Sequence, residues 1–193
     1  MFERLVSYWV YGGFLCSFVL IAFGCVLFRD SPLGFVLGFL HLPAYQWHQL
    51  EEHDADRFRH YVNESIGKGR TLLTPQAVFI INVFGVWAVF TVLILLAYTI
   101  HIGFALGLAY PTLINAVVHL VPALIHRQSN PGLLTGIGLF LPLSMFTIWT
   151  LSHTEGVSVS YHALGLMIGI AIHAAIVVYV LGRLRSQTNA RTE

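Results

Sequence analysis

Charged side chains are scarce in this chain. Asp, Glu, Lys and Arg make up only 10% of its 193 residues, against roughly 25% in an ordinary soluble domain, which excludes a water-soluble globule and a disordered chain alike. Cysteine is nearly missing as well. Cys16 and Cys25 sit nine residues apart in one apolar run, about 13 Å along a helix. That is beyond disulfide reach, so a small disulfide scaffold drops out, and two thiols so placed argue against a thiolate metal site. There is no surplus of one charge either: ten Lys and Arg stand against nine Asp and Glu, so net charge says nothing about partners and the placement of the charges has to be read instead. Internal repeats, low-complexity blocks and a second domain are all lacking.

What the chain has in abundance is apolar length. Hydrophobic residues make up 56% of it, and about 20 of them in a row cross ~30 Å of hydrocarbon as a helix, a membrane composition on which nucleic-acid binding falls away. The expected fold is all-α, a single polytopic membrane domain over 1–193, with six transmembrane helices near 8–28, 33–50, 76–98, 102–126, 133–151 and 161–182. The first run is too long for a signal-peptide core and reads as a retained span. The second is the least typical, carrying Pro43, Gln46, His48 and Gln49, and is expected to continue into a charged helix ending near Tyr61 or Asn63. Cytoplasmic loops collect Lys and Arg. With both termini cytoplasmic, Arg4, Arg57, Arg59, Lys68, Arg70, Arg127, Arg183, Arg185 and Arg191 share that side and Arg29 alone lies opposite. The expected location is the bacterial inner membrane or an equivalent cellular membrane, with membrane lipids as neighbours. Pro111, Pro122 and Pro142 free carbonyls inside spans and are candidates for shaping a pocket.

Ionisable groups inside such segments are costly and mark function. The densest stretch is His48-Gln49-Leu50-Glu51-Glu52-His53-Asp54-Ala55-Asp56. On a helix His48 shares a face with Glu51 and Glu52, at i+3 and i+4, and Asp56 extends that face. An imidazole and a carboxylate so spaced can hold a divalent metal or act as an acid–base pair; a solvated interfacial helix is the plain alternative. In the fourth segment Asn115 and His119 share a face, with His126 further along it. In the sixth His162 and His173 do the same. Interhelical hydrogen bonding is the plain reading of both, and His41, His101 and His153 carry no assigned role. Depth joins the separate signals. His48, His119 and His173 lie nine, eight and ten residues before Arg57, Arg127 and Arg183, which puts all three about 12–15 Å from the charged rim.

The stretch His48-Gln49-Leu50-Glu51-Glu52 matches the motif of the HXXEE-domain membrane proteins, and Asn115-Ala116-Val117-Val118-His119 matches that family's N-x-x-x-H. Ser129-Asn130-Pro131-Gly132 resembles its third motif, Y-x-P-G, with serine in place of tyrosine. The resemblance implies a small multi-spanning protein of enzymatic character and assigns no reaction. Glutamate-dependent proteases of prenylated proteins share the Glu-Glu pair, but Arg57 stands one position too far along for their pattern. Sterol isomerases of the emopamil-binding type place histidine and glutamate as His48 and Glu52 stand. Membrane di-iron enzymes need clustered H-x-x-H-H boxes, which are missing.

The sequence therefore leads to a membrane-embedded enzyme whose site is built from His48, Glu51, Glu52, Asn115 and His119, with His173 as a further ligand. In the metal form His48, His119, His173 and Glu52 bind a divalent ion, zinc before iron or manganese. Glu51 and Glu52 exchange the roles of base and ligand, and Asn115 orients an amphiphilic substrate. Hydrolysis is the first expectation. Metal-free isomerisation or cyclisation of a lipid, iron-dependent oxidoreduction and transport of a metal or proton are the alternatives. Oligomeric state and any roles of His53, His126 and His162 stay open.

Overall fold

The computed structural model describes residues 1–189, so Arg191 lies outside the described residues. Helices account for the architecture, with no strand among the described residues. The rods are α1 (Phe2–Leu27), α2 (Leu33–His53), the short α3 (Arg57–Ser65), α4 (Pro75–Thr99), α5 (Leu106–His126), α6 (Leu133–Ser152) and α7 (Val159–Asn189). Five of them (α1, α4, α5 with the turn Ile102–Ala105 before it, α6 and α7) are long and apolar enough to cross a membrane. Their exposed faces carry Leu15, Phe23, Leu95, Leu124, Met167 and Val178, the residues expected against acyl chains. This is an all-α polytopic membrane protein.

The sixth long rod, α2, falls short of the same apolarity for a structural reason. Fifteen of its 21 residues are buried, against five of 26 in α1, so its polar side chains meet other helices rather than lipid. Several of them are paired across helices, as polar groups away from water must be. His41 bonds Thr112 of α5 at 3.1 Å and Thr147 of α6 at 3.0 Å. Gln49 donates to Asn82 of α4 at 2.9 Å and accepts from the Trp87 indole at 2.6 Å. The Trp47 indole donates to Ser17 of α1 at 2.7 Å. Thus α2 is the axial element to which α1, α4, α5 and α6 are tied, and around it an apolar core of Phe35, Leu42, Phe90, Leu106, Leu108 and Phe140 closes.

The structure ends α2 earlier than the charged run suggests. Ala55 and Asp56 adopt φ of 52° and 60°, a left-handed step that L-residues take at some cost, and α3 restarts in a new direction. Asp56 therefore leaves the His48 face and pairs with Arg59 at 2.8 Å. Asn63 then clasps the following loop, accepting from Leu72 N and Leu73 N at 2.9 Å each. That loop meets the end of α7, where Gln187 donates to Thr71 O at 2.8 Å and Arg70 to Thr188 Oγ1 at 2.8 Å. The basic residues of both segments so gather at one end of the bundle. Two π-helical segments interrupt α4 (Ile81–Trp87) and α6 (Gly136–Phe140). The second directly precedes Pro142, which has no N–H to offer the preceding turn.

Small residues set the spacing of α5 and α7, as usual where membrane helices approach closely. A Cβ on Gly165 would stand 2.7 Å from the carbonyl oxygen of Leu106, and backbone cannot yield as a side chain can. Gly165→Val is expected to pry α7 from α5 and destabilise the protein by about 1–3 kcal/mol, read as a lowered midpoint of thermal unfolding in detergent. Gly12→Val, on a face with nothing nearby, should leave the midpoint close to that of the parent.

Candidate metal centre

Three acceptor atoms converge where α2 and α5 cross. His48 and Glu52 lie one turn apart on α2, and His119 comes from α5. Glu52 Oε2 is 3.4 Å from His48 Nε2, and Glu52 Oε1 is 3.0 Å from His119 Nε2. One ligand atom from each residue lies within 4.8 Å of the others, and all three residues are buried. Bonds of 2.0–2.1 Å in tetrahedral geometry separate neighbouring ligand atoms by about 3.3 Å, so three ligand atoms within 4.8 Å of one another are close enough to hold a metal ion.

The outer hydrogen bonds decide which ring nitrogen carries the proton. Asn130 Nδ2 donates to the His119 carbonyl at 2.8 Å, which turns its Oδ1 toward His119 Nδ1, also at 2.8 Å. An amide oxygen can only accept, so His119 Nδ1 holds a hydrogen and, in the neutral ring, Nε2 presents a lone pair. The Thr135 hydroxyl donates to the Glu51 carboxylate and therefore accepts from His48 Nδ1–H at 2.7 Å. His48 Nε2 is then also a lone pair, and it is buried with no hydrogen-bond partner. Two imidazole lone pairs and an ionised carboxylate facing one another repel unless a cation stands among them, either a metal ion or a proton. Partners that fix ring orientation in this way are a regular part of metal sites.

The structure separates the two glutamates. Glu51 turns away from the cluster and caps the start of α6, accepting from Leu134 N at 3.0 Å and Thr135 N at 2.7 Å. A carboxylate is well placed at a helix N-terminus, and with those donors engaged Glu51 serves as a cap and as the anchor of Thr135. The expected base or ligand Glu51 is thus placed at the start of α6, one hydroxyl away from His48, and outside the three-residue cluster.

The remaining expected residues divide. A cavity of about 120 Å³ adjoins the cluster, bounded by Tyr45, Glu52, His53, Asn115, His119 and His173 among others. Asn115 donates to the Tyr45 hydroxyl at 3.1 Å and leaves its Oδ1 buried and unpaired. His173 is outside the three-residue cluster, across this cavity. Its Nδ1–H donates to Gly169 O at 2.8 Å, so Nε2 is a third lone pair without a partner. His53 Nε2 comes within 3.4 Å of Glu52 Oε2. The other two histidines are elsewhere. His126 is exposed, and His162 bonds the Tyr110 hydroxyl at 2.9 Å.

Asn130, Thr135 and Gly132 are parts of the site that residue-type reasoning passes over, although the Y-x-P-G resemblance lay across two of them. Gly132 has φ +93°, and a Cβ there would fall 2.7 Å from His119 Cε1, 2.8 Å from His48 Cε1 and 2.9 Å from Glu52 Cγ. The backbone thus lies directly over the cluster, where only glycine fits. Gly132→Ala is expected to cost ~1–2 kcal/mol in backbone strain alone and to displace at least one imidazole. Thermal unfolding and the histidine ring resonances in NMR check this, with Gly138→Ala, at an open position, as the variant that changes neither.

Comparison with known proteins agrees with these residues. No curated protein and no solved structure matches the chain. A family profile described as a protein of unknown function with HXXEE motif matches residues 39–147, which hold the cluster, both outer partners and Gly132; the chain belongs to the HXXEE family.

Proposed function

We propose that the protein is a metal-dependent membrane enzyme acting on a lipid-like substrate, with His48, Glu52 and His119 as the ion's ligands. The observation that carries this reading is the pair of imidazole lone pairs, each fixed by its own outer partner, aimed at one buried carboxylate. Two histidines and a carboxylate are a familiar ligand set for zinc, and equally suit iron or manganese. A divalent ion so held supplies Lewis acidity and an acidified water. Around it, Asn115 orients the substrate and His173 Nε2, a free acceptor across the cavity, receives a proton, the part the sequence had given to Glu51. His53, touching Glu52, steadies the carboxylate. The apolar wall of the bundle admits amphiphiles, and hydrolysis is the reaction named first. The basic end nearest the site, with Arg57, Arg59, Lys68, Arg70, Arg127, Arg183 and Arg185, faces the cytoplasm of a bacterial inner membrane or its equivalent, and six helices cross it.

A second reading, proton chemistry without metal, is favoured by the 3.0 Å separation of His119 Nε2 and Glu52 Oε1, which is also the length of a charged hydrogen bond. Elemental analysis separates the two. Purified protein is expected to hold about one equivalent of zinc, iron or manganese and to lose it in His48→Ala, His119→Ala and Glu52→Gln. Asn130→Ala and Thr135→Val should weaken binding by ~10–100-fold. Protons compete with metal for Nε2, so affinity should fall as pH is lowered through the histidine range. Protein that stays ion-free after dialysis against all three metals overturns the metal reading.

A further inference from the structure

The cavity beside the cluster has a neighbour on the flank of the bundle. Between α4 and α7 runs a groove of about 750 Å³, and Ile81 and Ile176 line both the groove and the cavity. Its floor is made of small residues from the two facing helices, Ala77 and Gly85 on one side and Ala171 and Ala175 on the other. Ala171 and Ala175 are exposed on the lateral surface, where acyl chains lie. Ile81 and Ile176 are thus the side chains that stand between this membrane-facing groove and the cavity of Asn115 and His173.

The groove and the cavity ask for different chemistry. The groove is mostly apolar, with Thr74, Gln76 and Tyr179 as its polar lining residues. The cavity, of about 120 Å³, is lined by the Glu52 carboxylate and by no Lys or Arg, so it suits a neutral hydrogen-bonding head and not an anionic phosphodiester. Its far wall presents the His173 Nε2 lone pair, fixed as an acceptor by the bond from Nδ1 to Gly169. Beside it stands the Asn115 amide, buried with one polar atom unpaired. Buried polar atoms without a partner are costly, and a ligand that pairs them recovers that cost.

The geometry points to a single-chain amphiphile with a small hydrogen-bond-donating head, of the class of long-chain alcohols, as the occupant of this groove and cavity. The chain lies between α4 and α7 and the hydroxyl donates to His173 Nε2, with Asn115 as its second partner. This deepens the enzyme reading and rests on it for the claim that the occupant is a substrate; the binding site itself stands on the cavity and groove alone.

The test uses the full chain in phosphatidylcholine nanodiscs and three probes carrying the same photoreactive diazirine: a saturated long-chain primary alcohol, the matching alkane, and a diacyl phosphatidylcholine. Adducts are mapped by mass spectrometry, and metal content is measured on the same samples. The alcohol is expected to label residues 76–85 and 171–179 about fivefold more than the alkane, the factor one hydrogen bond supplies, and to be displaced by unlabelled alcohol. His173→Ala should erase the advantage of the alcohol over the alkane. Ala175→Trp and Gly85→Leu fill the groove from exposed and open positions; both should lower labelling severalfold while metal content stays unchanged. Equal labelling by alcohol and alkane, adducts on other faces, or equal labelling by the phospholipid overturns the inference. Labelling as expected in ion-free protein would remove the metal reading and leave this one standing; bound metal without groove labelling would do the reverse.

Discussion

A carboxylate held in an apolar bundle is the constraint around which the rest of this structure is arranged. Glu52 is 5% exposed, and an ionised group so enclosed costs several kcal/mol unless opposite charge and hydrogen bonds compensate. Here the neighbours closest to its oxygens are imidazole nitrogens at 3.0 to 3.4 Å. Two of these, on His48 and His119, are lone pairs in the neutral rings, so the pocket is stable only around a positive centre.

That demand propagates outward through the fold. The histidines keep their orientation because Asn130, in the link between α5 and α6, and Thr135, in the first turn of α6, hold their far sides. Glu51 pins the beginning of α6 to α2 through Thr135 and two backbone amides. The chain between them must pass directly above the cluster, which requires the open conformation of Gly132. The adjacent glutamates of α2 thus serve opposite ends: one lies in the pocket, and the other fastens the lid of backbone that completes it. Helix α2 tolerates this polarity because it is enclosed by α1, α4, α5 and α6, with His41, Gln49 and Trp47 tied to surrounding rods.

Much of the site could be read directly. The i, i+4 spacing of His48 and Glu52 survives in any helix, and the shared depth of His48, His119 and His173 follows from counting residues to the basic rim. Those arguments brought His119 to the cluster and His173 to the wall of the adjoining cavity. They could not give the direction of Glu51. At i+3 it is as near the His48 face as Glu52 is at i+4, and only the arrival of α6 beside it supplies donors that turn it away. Nor could they reveal Asn130 or Thr135, ordinary residue types in a connecting loop and in the first turn of a helix. Asp56 was assigned to the face of His48 on the assumption of a continuous helix, which the left-handed pair Ala55–Asp56 breaks.

The sequence by itself determined that the chain is a helical membrane protein and which helix faces carry ionisable groups. Hydrophobic length and helical period are local properties, set by covalent spacing and the thickness of hydrocarbon. Tertiary structure alone decided which of those groups meet, which ring nitrogens of His48, His119 and His173 carry the hydrogen, and that a groove between α4 and α7 lies against the pocket. Such features arise between segments far apart in the chain, where no spacing rule operates and each side chain is oriented by whatever partner packing brings within reach.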